Sequence, residues 1–387
     1  LPENEPKRVA KWAEEDIYPR VLEKNKDGQP FILHDGPPYA NGPIHIGHSF
    51  NKILKDFVVK SHAQRGFYTP YIPGWDCHGQ PIEHEVEKKL GTEKMRELPQ
   101  SKVRELCREW AERFVDVQRE GFKRLGVNAD WDRPYLTFQP SFESANVEVF
   151  KKMYLDGAVY RGRKPIHWCK HCHTALAEAE IEYGDEKSPS IFVKFLLNEI
   201  PEPFAKAGVN QGDAYVLIWT TTPWTLPANT SVSLGPDLDY CMVKVDGSYL
   251  LFAHELVGQV AETLGWQNYE VVCDGGEPVI MKGNQFGGIT YVMQDRVGRI
   301  IWGDHVTLEA GTGAVHTAGG HGVDDYLVSM EFGVDIVMPV DDDGRFMDMV
   351  PHFAGMDTDE ANPEIIKWLD EQGVLAGRMD INHSYPH

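Results

Sequence analysis

Hydrophobic and polar positions divide this chain into two halves with different periods. As far as about residue 156, apolar residues recur every three to four positions over long stretches, the period of helices with one buried face. The spacing predicts helices over residues 5–22, 45–62, 81–90, 102–125 and 141–156. Short apolar runs at 31–33 and 68–72 read as strands between them. Strand–helix alternation of this kind points to a parallel α/β sheet, in which ligands bind beyond the carboxyl ends of the strands. The second half is β-rich, with runs at 191–197, 214–220, 240–245 and 248–253 interrupted by helices near 254–264 and 359–371. Asp246-Gly247 joins two of these runs, and a two-residue Asp-Gly link is a strong hairpin signal. Three regions are expected: 1–165, a connecting segment at 166–188, and 189–387, a separate α+β domain whose β-rich pattern begins near residue 185.

The first α/β region carries the most informative string, Pro37-Pro38-Tyr39-Ala40-Asn41-Gly42-Pro43-Ile44-His45-Ile46-Gly47-His48. Directly after a strand and at the start of a helix, it places two imidazoles three residues apart, where helical neighbours meet. Gly47 is expected to let a flat or bulky group approach the backbone, and Pro43 to fit the first helical turn. A helix N-terminus flanked by two imidazoles is a phosphate-binding arrangement, read here as an ATP site that is not a P-loop.

Composition narrows the classes. The 387 residues suffice for two or three domains. A formal net charge of −21 is unlike the basic footprint of a dedicated nucleic-acid binder and argues against DNA, although a local basic groove can still take RNA. Six scattered cysteines with one Cys-x-x-Cys pair are no disulfide framework, so a reducing cytoplasm is expected. No apolar run approaches the ~20 residues needed to span a bilayer. The acidic start Leu1-Pro2-Glu3-Asn4-Glu5 lacks the pattern of a secretory signal, and without Met it is expected not to be the natural N-terminus.

The string from His34 to His48 resembles the signature of class I aminoacyl-tRNA synthetases, and its residues before the His-Ile-Gly-His tetrapeptide are similar to the isoleucine branch rather than the leucine or valine branches. A second block, Gly74-Trp75-Asp76-Cys77-His78-Gly79-Gln80-Pro81-Ile82-Glu83, is similar to the family's G-W-D-x-H-G-L-P-I-E, with Gln80 in place of Leu. The resemblance implies the first half of a Rossmann-like nucleotide-binding domain with an inserted β-rich editing domain. It implies that His45, Gly47 and His48 serve ATP with Mg²⁺, that Asp76 binds the α-ammonium of isoleucine, and that Pro37 lines the side-chain pocket. The family's second ATP motif, K-M-S-K-S, does not occur, so the chain is expected to be an N-terminal fragment that activates amino acids poorly.

Two segments of the β-rich half, Trp219 to Asn229 and Gly311 to Tyr326, resemble the editing pocket of isoleucyl-, valyl- and leucyl-tRNA synthetases, with Gly319 where Pro is usual. Mapped residue by residue, Asp325 would grip the ammonium of a misattached amino acid. Thr220, Thr221, Thr222 and Asn229 would position the ester and the attacking water, and His316 would line the pocket. Such a pocket answers a limit of binding: a missing methylene changes affinity by only ~1–3 kcal/mol, isoleucine against valine being the general illustration. Cys169 and Cys172 have half of a zinc spacing, His171 or His173 being further candidates, and a closed structural site needs four ligands. The expected partners are tRNA(Ile), isoleucine and ATP, with no membrane. The alternatives are a valyl-type fragment, which the first two blocks count against, and a tRNA-binding fragment without activity of its own.

Overall fold

The computed structural model describes residues 2–293 and 296–386, which form two compact units, Leu1–Arg161 and Gly162–His387. The first unit is built on helices α1 (Ile46–Gln64), α2 (Gln80–Leu90) and α3 (Gln100–Arg124), with further helices at Asn4–Glu14, Ile17–Lys24, Thr92–Glu97 and Pro140–Leu155. The helix expected over 5–22 is two helices, because Asp16 takes a left-handed conformation at φ 51° between them. One face of α3, Ala111, Val115, Gln118 and Phe122, is buried against Trp75, Ile82 and Phe138.

The parallel sheet of this unit is only fragmentary. β1 (Gly74–Trp75) pairs in parallel with β2 (Tyr135–Leu136), and isolated parallel bridges join Pro30 to Tyr68 and Tyr39 to Asp76. The runs 31–33 and 68–72 therefore keep the expected parallel sense without forming ladders. Pro30, Pro37, Pro38, Pro70 and Pro73 explain the difference, since a proline has no N–H to give to a neighbouring strand. The strands also approach closely: a Cβ on Gly74 would lie 2.0 Å from the Tyr135 ring.

The second unit is dominated by a sheet that closes on itself. β3 (Tyr183–Leu197) pairs antiparallel with β4 (Ala214–Thr220), and β4 meets β10 (Ala314–Thr317) in parallel at Trp219 and Val315. β10 is antiparallel to β5 (Ser231–Leu234), and β5 is parallel to β9 (Arg296–Trp302). β9 is antiparallel to β8 (Thr290–Met293), which returns to β3 at Leu196 and Leu197. Six strands thus close a barrel, which leaves no open edge in the ring.

A hairpin of β6 (Asp239–Val245) and β7 (Ser248–Ala253) extends the sheet where β7 runs parallel to the start of β4. Its turn is the expected Asp246-Gly247, both at positive φ (47° and 82°), as a type I′ turn requires. β11 (Leu375–Pro386) runs antiparallel along β3. The helices of this unit that bear on function are α4 (Val323–Glu331) and α5 (Thr358–Glu371). α5 is capped by Asp357, whose carboxylate accepts from the Asp359 N–H at 2.9 Å.

Gly74→Ala forces the Tyr135 ring away from β1. It should destabilise the first unit by about 1–3 kcal/mol, read as a lower first-unit transition in calorimetry with the second-unit transition unmoved.

Candidate functional site

The histidine motif begins α1 in a specific way. The helix starts at Ile46, so Pro43 lies before it rather than in its first turn, and His45 is the N-cap. His45 Nδ1 accepts from the Gly47 N–H at 3.0 Å, and His48 Nδ1 accepts from the His45 N–H at 3.3 Å. The two rings lie 3.9 Å apart between centroids at 32°. Both Nδ1 atoms are acceptors here, so each neutral imidazole carries its proton on Nε2 and keeps that N–H for a ligand.

Gly47 serves the cap: a Cβ there would lie 2.9 Å from His45 Cε1. The space it leaves is filled by the His45 ring, which differs from the expected approach of a ligand. His48 is half-buried, and burial, then the charges of His45 and Lys52, lower its pKa. A cavity of about 350 Å³ lies between these rings, the Tyr39–Pro43 segment and Glu85 of α2.

Asp76 sits where the chain bridges back to Tyr39. Its N–H donates to Pro38 O and its carbonyl accepts from the Ala40 N–H, both at 2.9 Å. Its carboxylate receives only long contacts of 3.4 Å, from Thr137 Oγ1 and the His78 N–H. Most of its accepting capacity is thus left for a ligand. Pro37, half-buried, precedes this bridge by two residues.

Beneath the motif lies a charged hub that sequence reasoning missed. The Asp35 carboxylate is buried and pairs with Lys52 and, at 2.7 Å, with Lys55, both from α1. It also accepts from Tyr71 OH at 2.8 Å and the Gly74 N–H at 2.9 Å. Burial alone would push this carboxyl up, but the two lysines and the Gly74 N–H hold it below the usual range. Asp35 stands inside the quoted string and carries no spacing signal of its own.

In the second unit the threonine segment leaves β4 as a short 3₁₀ turn (Pro223–Ala228). The Thr222 N–H donates to Thr220 Oγ1 at 3.1 Å, and the Thr221 and Thr222 hydroxyls lie 3.4 Å apart. Below them runs a buried chain of hydrogen bonds. Tyr291 OH donates to Asn229 Oδ1 at 2.6 Å, and Asn229 Nδ2 reaches His316 Nδ1 at 2.8 Å and Ser231 O at 3.0 Å. His316 Nε2 lies 3.0 Å from Thr225 Oγ1, which donates to Thr222 O at 2.9 Å. With Asn229 donating to Nδ1, His316 is the Nε2–H tautomer and is neutral. Burial, then the neighbouring His321, drive its pKa down to about 3.

Thr220, Thr221, Thr222, Asn229 and His316 are therefore brought together, and the last two are saturated by protein partners. Thr225 and Tyr291 complete the chain; Thr225 lay within the quoted segment, whereas Tyr291 gave no signal in the sequence. Asp325, in the first turn of α4, accepts from the Ala318 N–H at 2.8 Å, and burial raises its pKa. Among the described residues no ion pair reaches it. Trp224, anchored by its N–H to Asn362 Oδ1 of α5 at 2.9 Å, packs edge-on to His321, whose buried Nε2 has no hydrogen-bond partner.

The Cys-x-x-Cys pair forms a small hairpin in which the Cys172 N–H points at Cys169 Sγ at 3.3 Å. Burial pushes the Cys169 thiol up, but the N–H groups of Cys172 and His171 outweigh it and lower the net value. His173, a candidate ligand, instead faces Asp343 at 2.9 Å. No group of three metal-binding side chains occurs among the described residues. The described residues therefore do not fit a closed zinc site.

Comparison with known proteins identifies the family. The profile of the family described as "tRNA synthetases class I (I, L, M and V)" matches residues 7–354. The isoleucine–tRNA ligases of Nitratidesulfovibrio vulgaris (strain Miyazaki F) and Desulfovibrio desulfuricans are 47% and 46% identical to it over the whole chain, which spans 41% of the length of each. A solved LeuRS–tRNA–LeuAMS complex from Agrobacterium radiobacter K84 aligns with 98% of this chain and 48% of its own, at 16% identity and a TM-score of 0.40.

Asp35→Asn would leave Lys52 buried without its full counter-charge. Breaking a buried pair in this way costs about 3–5 kcal/mol, and a lower first-unit transition in calorimetry should show it. A second expectation concerns acid. His316 and His321 have folded values of about 3 and about 4, both below the unfolded 6.5. Their contribution is full above pH 6.5 and is lost as pH falls towards 3. The two histidines together should cost the second unit roughly 6 kcal/mol between pH 7 and pH 4. A His316→Gln variant should be weaker at pH 7 and decline less steeply, as thermal melts across that range would record.

Proposed function

This chain belongs to the class I tRNA synthetases of the isoleucine, leucine, methionine and valine group, and from that premise we propose that it carries two stations of an isoleucine–tRNA ligase. At the first, the carboxylate of isoleucine attacks the α-phosphate of ATP in line and pyrophosphate leaves. Such a transfer depends on positioning and charge stabilisation more than on covalent help. His45 and His48 donate from Nε2 to phosphate oxygens, Asp76 holds the α-ammonium, and Pro37 lines the side-chain pocket. Gly47 permits the cap that fixes both tautomers. Mg²⁺ accompanies the triphosphate. No K-M-S-K-S string occurs in the sequence, so the second station is the one assigned to this chain working by itself.

That station removes valine from mischarged tRNA(Ile). Water attacks the ester carbonyl, the terminal ribose hydroxyl of the tRNA leaves, and valine is released. The observation that carries the reading is Asp325, a half-buried carboxylate with a single N–H donor and no ion pair among the described residues, His305 acting on it only at longer range. A substrate ammonium supplies the missing charge. The Thr221 and Thr222 hydroxyls, 3.4 Å apart, are assigned to the ester and the water. Asn229 and His316, both saturated, fix the turn that presents those hydroxyls. Thr220 fixes it too, accepting the Thr222 N–H. The cysteine hairpin supports no metal step, and none is assigned to it.

Deacylation of Val-tRNA(Ile), with Ile-tRNA(Ile) as the control, tests this. The full chain should release valine selectively, and Asp325→Asn should lose about ten- to a hundredfold of the rate, the range of a charged hydrogen bond. Because burial raises the Asp325 pKa, the ionised form that takes the ammonium is lost above the ordinary carboxylate range. The wild-type rate should therefore fall there on acidification. No hydrolysis by folded wild-type chain would refute the assignment.

A further inference from the structure

Gln118 is a polar residue in an apolar stripe. It lies on the buried face of α3 with Ala111, Val115 and Phe122, and its side chain is fully buried. Both donors and the acceptor oxygen of its amide are engaged. Oε1 accepts from Trp75 Nε1 at 3.0 Å, and the two Nε2 hydrogens go to Tyr39 O at 2.9 Å and Gly42 O at 2.8 Å. From the same helix Trp110 donates to Asn41 O at 3.1 Å. Gly121 lets Ile44 lie against the helix backbone, since a Cβ there would sit 2.7 Å from Ile44 Cδ1. One helix thus grips Tyr39, Asn41, Gly42 and Ile44, the residues that lead directly into His45.

We propose that Gln118 is the positioning residue of the candidate nucleotide site. Its amide fixes the Tyr39–Gly42 wall of the cavity and, through Trp75, ties that wall to the strand that presents Asp76. The amide group is required because only it offers two donors and one acceptor in one plane: Glu has the shape without the donors, and Met has the length without either. The role of the cavity rests on the nucleotide reading above; the clamp itself does not.

The test uses the whole chain as wild type, Gln118→Glu, Gln118→Met and Val115→Ala. The last removes packing from the same face without touching a hydrogen bond. Two readouts are taken: amide hydrogen exchange across residues 37–48, and affinity for MgATP by calorimetry. At matched stability, both Gln118 variants should exchange at least tenfold faster in 37–48 than Val115→Ala, and should bind MgATP at least tenfold more weakly. Exchange in 37–48 no faster than in Val115→Ala overturns the clamp, whatever MgATP does. Faster exchange in a protein whose wild type does not bind MgATP upholds the clamp and overturns the nucleotide reading. Faster exchange with unchanged MgATP affinity overturns the claim that the clamp positions the site.

Discussion

A proline-rich segment cannot zip into a sheet, and the first unit is organised around that constraint. Pro30, Pro37, Pro38, Pro70 and Pro73 remove the donors a parallel ladder would need, and what remains is a pair of two-residue strands and two isolated bridges. Buried backbone groups still demand partners. Side chains meet the demand: the Asp35 carboxylate takes the Gly74 N–H, and the Gln118 amide takes the carbonyls of Tyr39 and Gly42. The same irregular backbone frees the space that becomes the cavity beside His45 and His48. A regular ladder would be sturdier and would leave no such opening.

The second unit solves the same problem in the opposite way. Its six-stranded ring satisfies most of the strand backbone through closure, with side chains such as Asn229 and Tyr240 serving single backbone groups at its ends. The polar residues inside it can form their own chain instead, from Tyr291 through Asn229 and His316 to Thr225. That chain crosses β8, β10 and the turn after β4; Tyr291 gives, and Asn229, His316 and Thr225 each both give and receive. Removing one member leaves its neighbours buried without partners, which is why such networks tend to act as a unit.

Much of this was legible in the sequence, for physical reasons. Helical and strand periods reported α1, α3, β4, β7 and the Asp246-Gly247 turn closely, because each has one buried face or a turn that only certain residues tolerate. The two site segments were legible as strings, so Asp76, His45, His48, His316 and Asp325 could be singled out by resemblance. The proline-interrupted strands were not, because apolar runs look alike whether or not their N–H groups find partners. Asp35 and Gln118 were also hidden. A buried charge or amide differs from an exposed one only through contacts made by residues 17 to 79 positions away. Closure of the barrel, which rests on a pairing between β3 and β8, has no local signature at all.

The two sites differ in electrical character in a way that suits two different chemistries. The first is wet and charge-rich, with an exposed His45, a half-buried His48 and the Asp35–Lys52–Lys55 cluster directly below. Both imidazoles have Nδ1 committed to backbone N–H groups, which leaves each Nε2–H to donate outward. The second is built over a buried neutral network, its His316 barred by burial from taking a proton near pH 7, while the threonines and Asp325 stay half-buried. Ester hydrolysis by water needs hydroxyls held in place more than it needs a mobile proton on a histidine. In the same unit Asp325, half-buried, has its pKa raised by burial, with Asp324 and His305 as electrostatic neighbours. The contrast follows from how each unit satisfies its own backbone: side chains stand in for ladder bonds around the histidine pair, and strand closure surrounds His316.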